Sequence, residues 1–300
     1  MKTQFRNDGL ITPQDLNAID ARIYEPNESE LKARKVFAVK SDIPAGAETY
    51  SYDVITRSGV AKILAPGASD VPLVDADMER HTVNIYSIAA AFNISVQEVR
   101  QAQMSGRPIE VTKADTVRKA IAQKENQIAF NGEEKYNIKG ITNATGVQVY
   151  AVPQGAKGST TWADKTGEEI INDLIDAKGK VDKLPGHEAD TLLLTTEAKL
   201  LLQKKVFNDF TKQTAIQYLQ SENFFRTIET VEDLAGKGLA NSNCFVVLDS
   251  SPSVVELGVP MDITRHPQEY KFPNTKVPFE ERLAGLIIRY PMAIVRADGI

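Results

Sequence analysis

The chain has 300 residues, of which 42% are hydrophobic and 25% charged, and its formal net charge at pH 7 is −5. These totals are typical of a globular protein with one large domain or two ordinary ones. The negative net charge argues against a general nucleic-acid binder, which needs a cationic surface. Cys244 is the single cysteine, so an internal disulfide bond is excluded. No apolar run reaches the 18 residues of a membrane span, and the amino terminus lacks the apolar run of a signal peptide.

Residues 1–47 are mostly polar and carry charges of both signs, with Pro13, Pro26 and Pro44 spread through them. Such a segment has too few apolar residues to build a core of its own. We therefore expect either an arm that packs on something else or a mobile tail.

Two stretches of alternating apolar and polar residues follow, at 50–55 and 80–87, which is typical of strands. The connection between them contains two glycines, two prolines and few residues that could anchor it. The pattern predicts an extended hairpin. A long, weakly anchored hairpin favours contact with a partner, although a surface loop is the alternative.

Residues 94–104 and 107–132 have helical patterns. The shorter helix begins with a capping box formed by Ser95 and Glu98. The longer one presents a single narrow apolar face and ends at Gly132. We expect Thr112 and Asp115 to form a capping-box-like pair at its start. The apolar face comprises Ala114, Val117, Ile121 and Ile128, and the opposite, solvent-facing side is expected to carry Lys113, Arg118, Lys119, Lys124 and Glu125.

Residues 135–255 alternate between helical and strand patterns, which suggests a compact α/β unit. Thr166 and Glu169 form another capping box, and Trp162 is expected to anchor the helix that they open. The predicted helices are 167–183 and 196–205, and the predicted strands are 191–194, 226–231 and 244–248. Strand patterns then return at 262–265, 285–289 and 292–296, with Pro291 expected to break or bulge the last pair.

Candidate catalytic groups are scarce. His81, His187 and His266 are isolated, and none has the spacing of a metal ligand with another His, Cys or carboxylate. Asp75 and Asp77 form a D-x-D pair that could hold a divalent ion, but two solvated carboxylates are the alternative. No cofactor is predicted. A long arm and an extended hairpin without a visible site favour a protein made for subunit contacts.

This order of parts resembles that of the major capsid proteins of tailed bacteriophages, whose fold is named after phage Hong Kong 97 (HK-97). The resemblance in amino-acid sequence lies in two stretches: AFNGEEKYNIKGITNATG at 129–146, and ERLAGLIIRYPMAIVRADGI at 281–300. The second is also similar to the closing strands of encapsulin shells. The resemblance implies an α+β, HK-97-like fold. Its parts would be an arm (1–47), an extended loop (48–85), a peripheral domain with a long spine helix (86–134 and 260–300) and an axial α/β domain (135–259).

The resemblance also implies the function of a structural major capsid protein, not an enzyme. Copies would form pentamers and hexamers of an icosahedral shell that encloses double-stranded DNA without sequence-specific binding. Scaffolding, portal and decoration proteins are candidate partners, and no membrane is involved. The protein would be assembled in the cytoplasm of a host bacterium and reside in the virion capsid. The expected subunit contacts lie in the extended loop, at Arg57, Val60, Lys62, Ile63 and Leu64.

Two alternatives remain open at this point. An encapsulin-type compartment would use the same fold to enclose a cargo enzyme. A metal-dependent α/β enzyme would use Asp75 and Asp77 as ligands.

Overall fold

The computed structural model describes residues 31–58, 61–63, 73–105, 109–208, 210 and 212–300. Its helices are α1 (Ala33–Val36), α2 (Val96–Ser105), α3 (Ile109–Asn131), α4 (Gly167–Asp182), α5 (Thr196–Lys204) and α6 (Ala215–Ser221). Its strands are β1 (Ala38–Lys40), β2 (Thr49–Ser58), β3 (Asp75–Asn84), β4 (Tyr86–Ser95), β5 (Gln148–Ala151), β6 (Thr191–Leu194), β7 (Val206–Asn208), β8 (Gln213–Thr214), β9 (Thr227–Thr230), β10 (Cys244–Leu248), β11 (Val255–Gly258), β12 (Met261–Arg265), β13 (Glu269–Lys271), β14 (Asn274–Leu283), β15 (Gly285–Ile288) and β16 (Ile294–Asp298). The predicted α+β class is confirmed.

The largest sheet of the described chain has the strand order β5-β16-β10-β6-β9. Its central strands β6 and β10 are buried at every position, as expected for strands covered on both faces. Helix α4 packs on β10 and β16. The capping box of Thr166 and Glu169 forms as predicted, and the Trp162 ring is fully buried against Phe245. Local patterns therefore predicted most of this sheet and its helices.

The last strand differs from the expectation, which grouped residues 260–300 together. β16 pairs with β10 from Cys244↔Asp298 to Leu248↔Ile294, and its other edge is parallel to β5. Pro291 begins a short 3₁₀ turn, Pro291–Ala293, that separates β16 from β15. The carboxyl-terminal strand consequently lies inside the sheet formed by the 135–259 segment. A strand pattern alone does not specify its pairing partner.

A second sheet has the order β12-β14-β13, with β4 paired to the long strand β14. Ten residue pairs join β4 to β14, from Ser95↔Asn274 to Tyr86↔Leu283. The sequence patterns did not predict most of β4 or any part of β14. Ala89–Ala91 and Pro278 are weak strand formers, so the local signal was poor and the pairing depends on tertiary packing.

Helix α3 covers this sheet through a core formed with Phe92, Val277 and Phe279. The predicted apolar face is confirmed, since Val117 and Ile121 are buried. The helix also ends as predicted. Gly132 has φ +70°, a conformation that favours glycine, and its N–H donates to the Ile128 carbonyl at 2.9 Å.

Two predicted details of α3 are wrong. Thr112 lies inside the helix, where its carbonyl accepts from the Thr116 hydroxyl at 2.9 Å, so Thr112 and Asp115 do not cap it. Glu125 was expected to face solvent but is only 2% exposed. Arg34 of α1 binds this carboxylate, with Nε 2.8 Å from Oε1.

No helix among the described residues is long and apolar enough to cross a membrane.

Residues 31–48 pack against the rest of the described chain. β1 adds to the edge of a sheet with the order β1-β11-β15. The side chain of Asn126 in α3 accepts from the N–H groups of Lys32 and Ala33 at 2.9 and 3.0 Å. Phe37 packs on Phe130, with 5.7 Å between ring centroids. The remainder of the predicted arm, residues 1–30, lies outside the described residues.

Candidate assembly surface

Strands β2 and β3 form a long hairpin that makes a two-stranded sheet of its own. Ten residue pairs join the strands, from Thr49↔Asn84 at the root to Ser58↔Asp75. At about 3.4 Å per residue, each strand is roughly 30 Å long. The predicted extended hairpin is therefore present. Its second strand begins at Asp75, earlier than the predicted start at residue 80.

The root of the hairpin is fastened to the described chain by aromatic side chains. Tyr50, Tyr52 and Val83 pack against a small core around Ile43 and Ile287. The Tyr52 hydroxyl donates to the Ile288 carbonyl at 2.8 Å, and its burial raises the pKa of Tyr52. The hairpin consequently leaves the remaining sheets in one defined direction.

A cavity of about 370 Å³ lies beneath this root. Its lining includes Tyr52 and His81 from the hairpin and Arg289 from the segment after β15. The Arg289 guanidinium lies 5.9 Å from the centre of the Tyr52 ring, and the His81 ring stacks on the same Tyr52 ring with 5.6 Å between centroids. Arg289 is in turn held by Glu256 at 2.6 Å. These contacts fix the root of the hairpin to the segment after β15.

The far half of the hairpin exposes apolar side chains. Ile55 and Met78 are direct cross-strand partners and remain 49% and 65% exposed. Leu73 and Val74, which directly precede β3, and Ile63, five residues after β2, are also largely exposed. Exposed apolar groups clustered on an extended element mark an interaction surface more often than a free surface. We call this group of five residues the hairpin apolar surface.

Polar side chains beside the hairpin apolar surface are satisfied within the hairpin itself. Arg80 binds both carboxylate oxygens of Asp53, at 2.8 and 3.1 Å, and this contact lowers the pKa of Asp53. Ser51 and Thr82 are hydrogen-bonded across the strands at 2.8 Å. These pairs hold the two strands in register.

Of the five predicted contact residues, the structure describes Arg57, Lys62 and Ile63. Arg57 lies in β2, in register with Ala76. Lys62 and Ile63 are exposed, whereas Val60 and Leu64 lie outside the described residues. Sequence reasoning missed Ile55 and Met78. The signal for Met78 was the alternation within 75–84, which three acidic residues in that stretch obscured.

Asp75 and Asp77 both lie exposed in β3, opposite Ser58 and Thr56. An Asp75 carboxylate oxygen accepts from the Ala76 N–H at 2.8 Å. Across the described part of the chain, no group of three or more His, Cys, Asp or Glu residues is arranged to hold a metal ion. Among the described residues, Asp75 and Asp77 therefore have no third His, Cys, Asp or Glu ligand for a metal ion.

Comparison with known proteins matches the family "Major capsid protein" over residues 59–300. A diheme-cytochrome-encapsulin shell fusion protein of Kuenenia stuttgartiensis is 24% identical over 136 residues, which are 45% of this chain. The chain spans only 37% of that relative's length.

Solved structures show the same fold at low sequence identity. The capsid of Myoviridae phage XM1 matches with a TM-score of 0.80 and 12% identity, covering 98% of this chain and all of that one. A Mycobacterium phage Bobi chain matches with a TM-score of 0.68 and 18% identity, covering 97% and 99%. A virus-like particle from Pyrococcus furiosus matches with a TM-score of 0.62 and 16% identity, covering 88% and 91%.

The family match extends over most of the chain, from residue 59 to residue 300. The phage capsid structures share its mixed helix and sheet architecture. The chain therefore belongs to the major capsid protein family, with the HK-97-like fold of phage capsids.

Proposed function

We propose that copies of this chain form an icosahedral shell of pentamers and hexamers in which each hairpin lies on a neighbouring subunit. The observation that carries the proposal is the hairpin apolar surface. Ile55 and Met78 lie on the two ten-residue strands, Leu73 and Val74 directly precede the second strand, and none of the five side chains belongs to a described core. Arg57, Val60, Lys62, Ile63 and Leu64 would take part in the same contact. The divisions at residues 47, 85, 134 and 259 would separate arm, extended loop, peripheral and axial parts, except that β16 belongs to the sheet of the axial part.

The energetics support a shell built from modest contacts. Full burial of a side chain such as Ile or Met contributes about 1.5–3 kcal/mol, so burying what remains exposed of Ile55 and Met78 would contribute roughly 1–2 kcal/mol each. A closed shell repeats the contact around every subunit, and multivalency converts weak contacts into a stable particle.

The proposed content is double-stranded DNA held without sequence-specific contacts. A formal net charge of −5 suits a shell that must not bind a packaged polyanion tightly. Assembly would take place in the cytoplasm of a host bacterium. Scaffolding, portal and decoration proteins would be the other partners in the virion.

The test is assembly of the full chain, followed by light scattering and negative-stain electron microscopy, with and without co-expressed scaffold. The variant Ile55→Ser with Met78→Ser removes the cross-strand apolar pair from an exposed position. We expect it to keep the circular dichroism and thermal unfolding of the wild type but to form no closed particles. The matched control, Glu79→Gln, changes the exposed residue next to Met78 in the same strand and should assemble. Normal particles from the Ile55 and Met78 variant would refute the assigned contact.

An encapsulin-type compartment is the second candidate, favoured by the partial match to the encapsulin shell fusion protein. The two candidates differ in what the particle encloses. Particles purified from the native source should contain DNA, with an absorbance ratio dominated by nucleic acid. A protein cargo without DNA would instead support the compartment.

A further inference from the structure

Strand β13 is an edge strand, and no described strand covers its outer side. It pairs with β14 from Glu269↔Lys276 to Lys271↔Asn274. In the sheet order β12-β14-β13, no strand among the described residues lies on its other side. All three residues of β13 are exposed. An uncovered strand edge presents backbone N–H and C=O groups that can pair with another chain. β13 is therefore a candidate contact surface outside the hairpin.

The turn between β13 and β14 holds this edge in a fixed position. The Pro273 carbonyl accepts from the N–H of Val96, the first residue of α2, at 3.0 Å. Asn274 pairs with Ser95, the last residue of β4. Because the edge is already ordered, little conformational entropy is lost when a partner strand pairs with it.

Two aromatic side chains stand exposed at this edge. Tyr270 is 64% exposed, and Phe272, in the turn, is 78% exposed. Among the aromatic residues that the structure describes, only Phe210 is more exposed. Aromatic residues are enriched at protein interfaces relative to the remaining surface. The edge consequently has the composition of a contact surface.

The charges on β13 complement a second copy of the same strand. Glu269 and Lys271 flank Tyr270 and share one face of the strand. Two antiparallel copies centred on Tyr270 place each Glu269 opposite the Lys271 of the other copy, and a shift by two residues places like charges opposite each other. On its inner side Glu269 is the register partner of Lys276, so its carboxylate would lie between two ammonium groups.

We propose that β13 joins two copies of this chain across a two-fold axis, by antiparallel strand pairing centred on Tyr270. The inference rests on the proposed shell function and assigns one of the contacts between its subunits. Such a contact is isologous, because both copies use the same surface. The hairpin contact is heterologous and closes subunits into rings. A shell of pentamers and hexamers also requires contacts that join one ring to the next, and the β13 pair supplies one.

The two contacts do not compete, since they lie at opposite ends of the paired strands β4 and β14. β4 begins at Tyr86, two residues after the hairpin, and ends at Ser95 beside the turn between β13 and β14. Ten residues at about 3.4 Å each separate the two ends by roughly 30 Å. One subunit can therefore hold a ring neighbour through its hairpin and a subunit of another ring through β13.

The test is a disulfide bond across the proposed two-fold axis. The Tyr270→Cys chain is assembled under reducing conditions and then oxidised, and covalent dimers are measured on a denaturing gel. Directly opposite residues of an antiparallel pair have Cα atoms about 4.5–5.5 Å apart, a separation that a disulfide bond spans. Cys244 does not interfere, because it is buried and burial raises the pKa of its thiol to about 12. We expect most subunits of closed particles to be in covalent dimers.

The matched control is Phe272→Cys, two residues further along the same edge. In the proposed register the two copies of Phe272 are four residue spacings apart, roughly 14 Å, which exceeds the reach of a disulfide bond. This variant should form particles without covalent dimers. A chain with both Glu269→Cys and Lys271→Cys should also give dimers, whereas a three-fold arrangement of the same edges would give covalent trimers and overturn the proposal.

Charge reversal gives an independent test, which also applies if Tyr270→Cys does not assemble. Glu269→Lys or Lys271→Glu alone places like charges opposite each other and should lower the yield of closed particles in favour of free rings. The double variant restores opposite charges across the axis and should regain closed particles. Single variants that assemble as the wild type does, or a double variant that regains nothing, would overturn the proposal.

Failure of this inference can be told apart from failure of the proposed function. Closed Tyr270→Cys particles without covalent dimers would overturn the β13 contact and leave the shell function standing. A wild-type chain that forms no closed particles, with and without scaffold, would contradict the shell function itself and the β13 contact with it.

Discussion

Replacing Lys165 by Met is expected to destabilise the chain because it leaves a buried carboxylate without its cation. The Lys165 and Asp173 side chains are 1% and 3% exposed, with Nζ 2.6 Å from Oδ2. The same oxygen accepts from the indole N–H of Trp162 at 3.0 Å. Together these contacts fasten the segment before α4 to the helix.

The size of the expected loss of stability follows from the hydrogen-bond donors that Asp173 keeps after Lys165 is replaced. Burial raises the pKa of Asp173 even with Lys165 present, because desolvation outweighs the attraction of the ammonium group. Without Lys165 a single neutral donor remains, and breaking a buried pair in this way costs about 3–5 kcal/mol. The double variant Lys165→Met with Asp173→Leu removes both charges and should recover most of the loss.

The assay is urea denaturation of the unassembled chain, followed by fluorescence of Trp162, the single tryptophan. In the Lys165→Met variant the pKa of Asp173 should rise further. The protonated acid is then favoured in the folded state, so the loss of stability should be smaller at pH 5 than at pH 8. Lys205→Met is the matched control, since Lys205 makes an exposed contact with the Ala163 carbonyl and its loss should change stability by less than about 1 kcal/mol. A Lys165→Met loss below about 1 kcal/mol, equal at both pH values, would refute this reasoning.

Further predictions concern backbone positions and can be measured by the same denaturation. Gly285→Ala should cost roughly 2–4 kcal/mol, because Gly285 has φ +76° and a Cβ there would lie 2.6 Å from Cγ2 of Ile138. Gly179→Ala, inside α4 with open space around it, should instead stabilise the chain by about 0.5–1 kcal/mol; a loss at Gly179 would contradict the helix-propensity argument. Thr166→Ala should cost about 1 kcal/mol by removing the capping box of α4, and an unchanged midpoint would show that the cap contributes nothing.

Local signals predicted the elements that carry their own start, stop and periodicity. The capping box of Ser95 and Glu98 forms with bonds of 2.8 and 3.1 Å, and α2 begins at the next residue. Strands β6 and β10 stand where short apolar runs indicated them. The hairpin was predicted from two alternating stretches, although its exposed Ile55 and Met78 were not. Each of these signals lies within about ten neighbouring residues.

Long-range partners could not be predicted in this way. Arg34 lies 91 residues from Glu125 and 247 residues from Glu281 along the chain, and no pattern within any one segment connects them. Glu125 was assigned to solvent because a charged residue on a helix normally faces water. Only its packing against α1 and β14 reverses that expectation.

The sequence by itself determined helices α2 to α5, the caps of α2 and α4, the hairpin, and the resemblance to phage capsid proteins. Hydrogen bonds and side-chain periodicity that specify these features act between near neighbours in the chain. Only the tertiary structure decided that β16 joins β10 and that Arg34 meets two buried glutamates. Such contacts depend on how distant segments pack, because burial and electrostatic partners are properties of the folded chain as a whole.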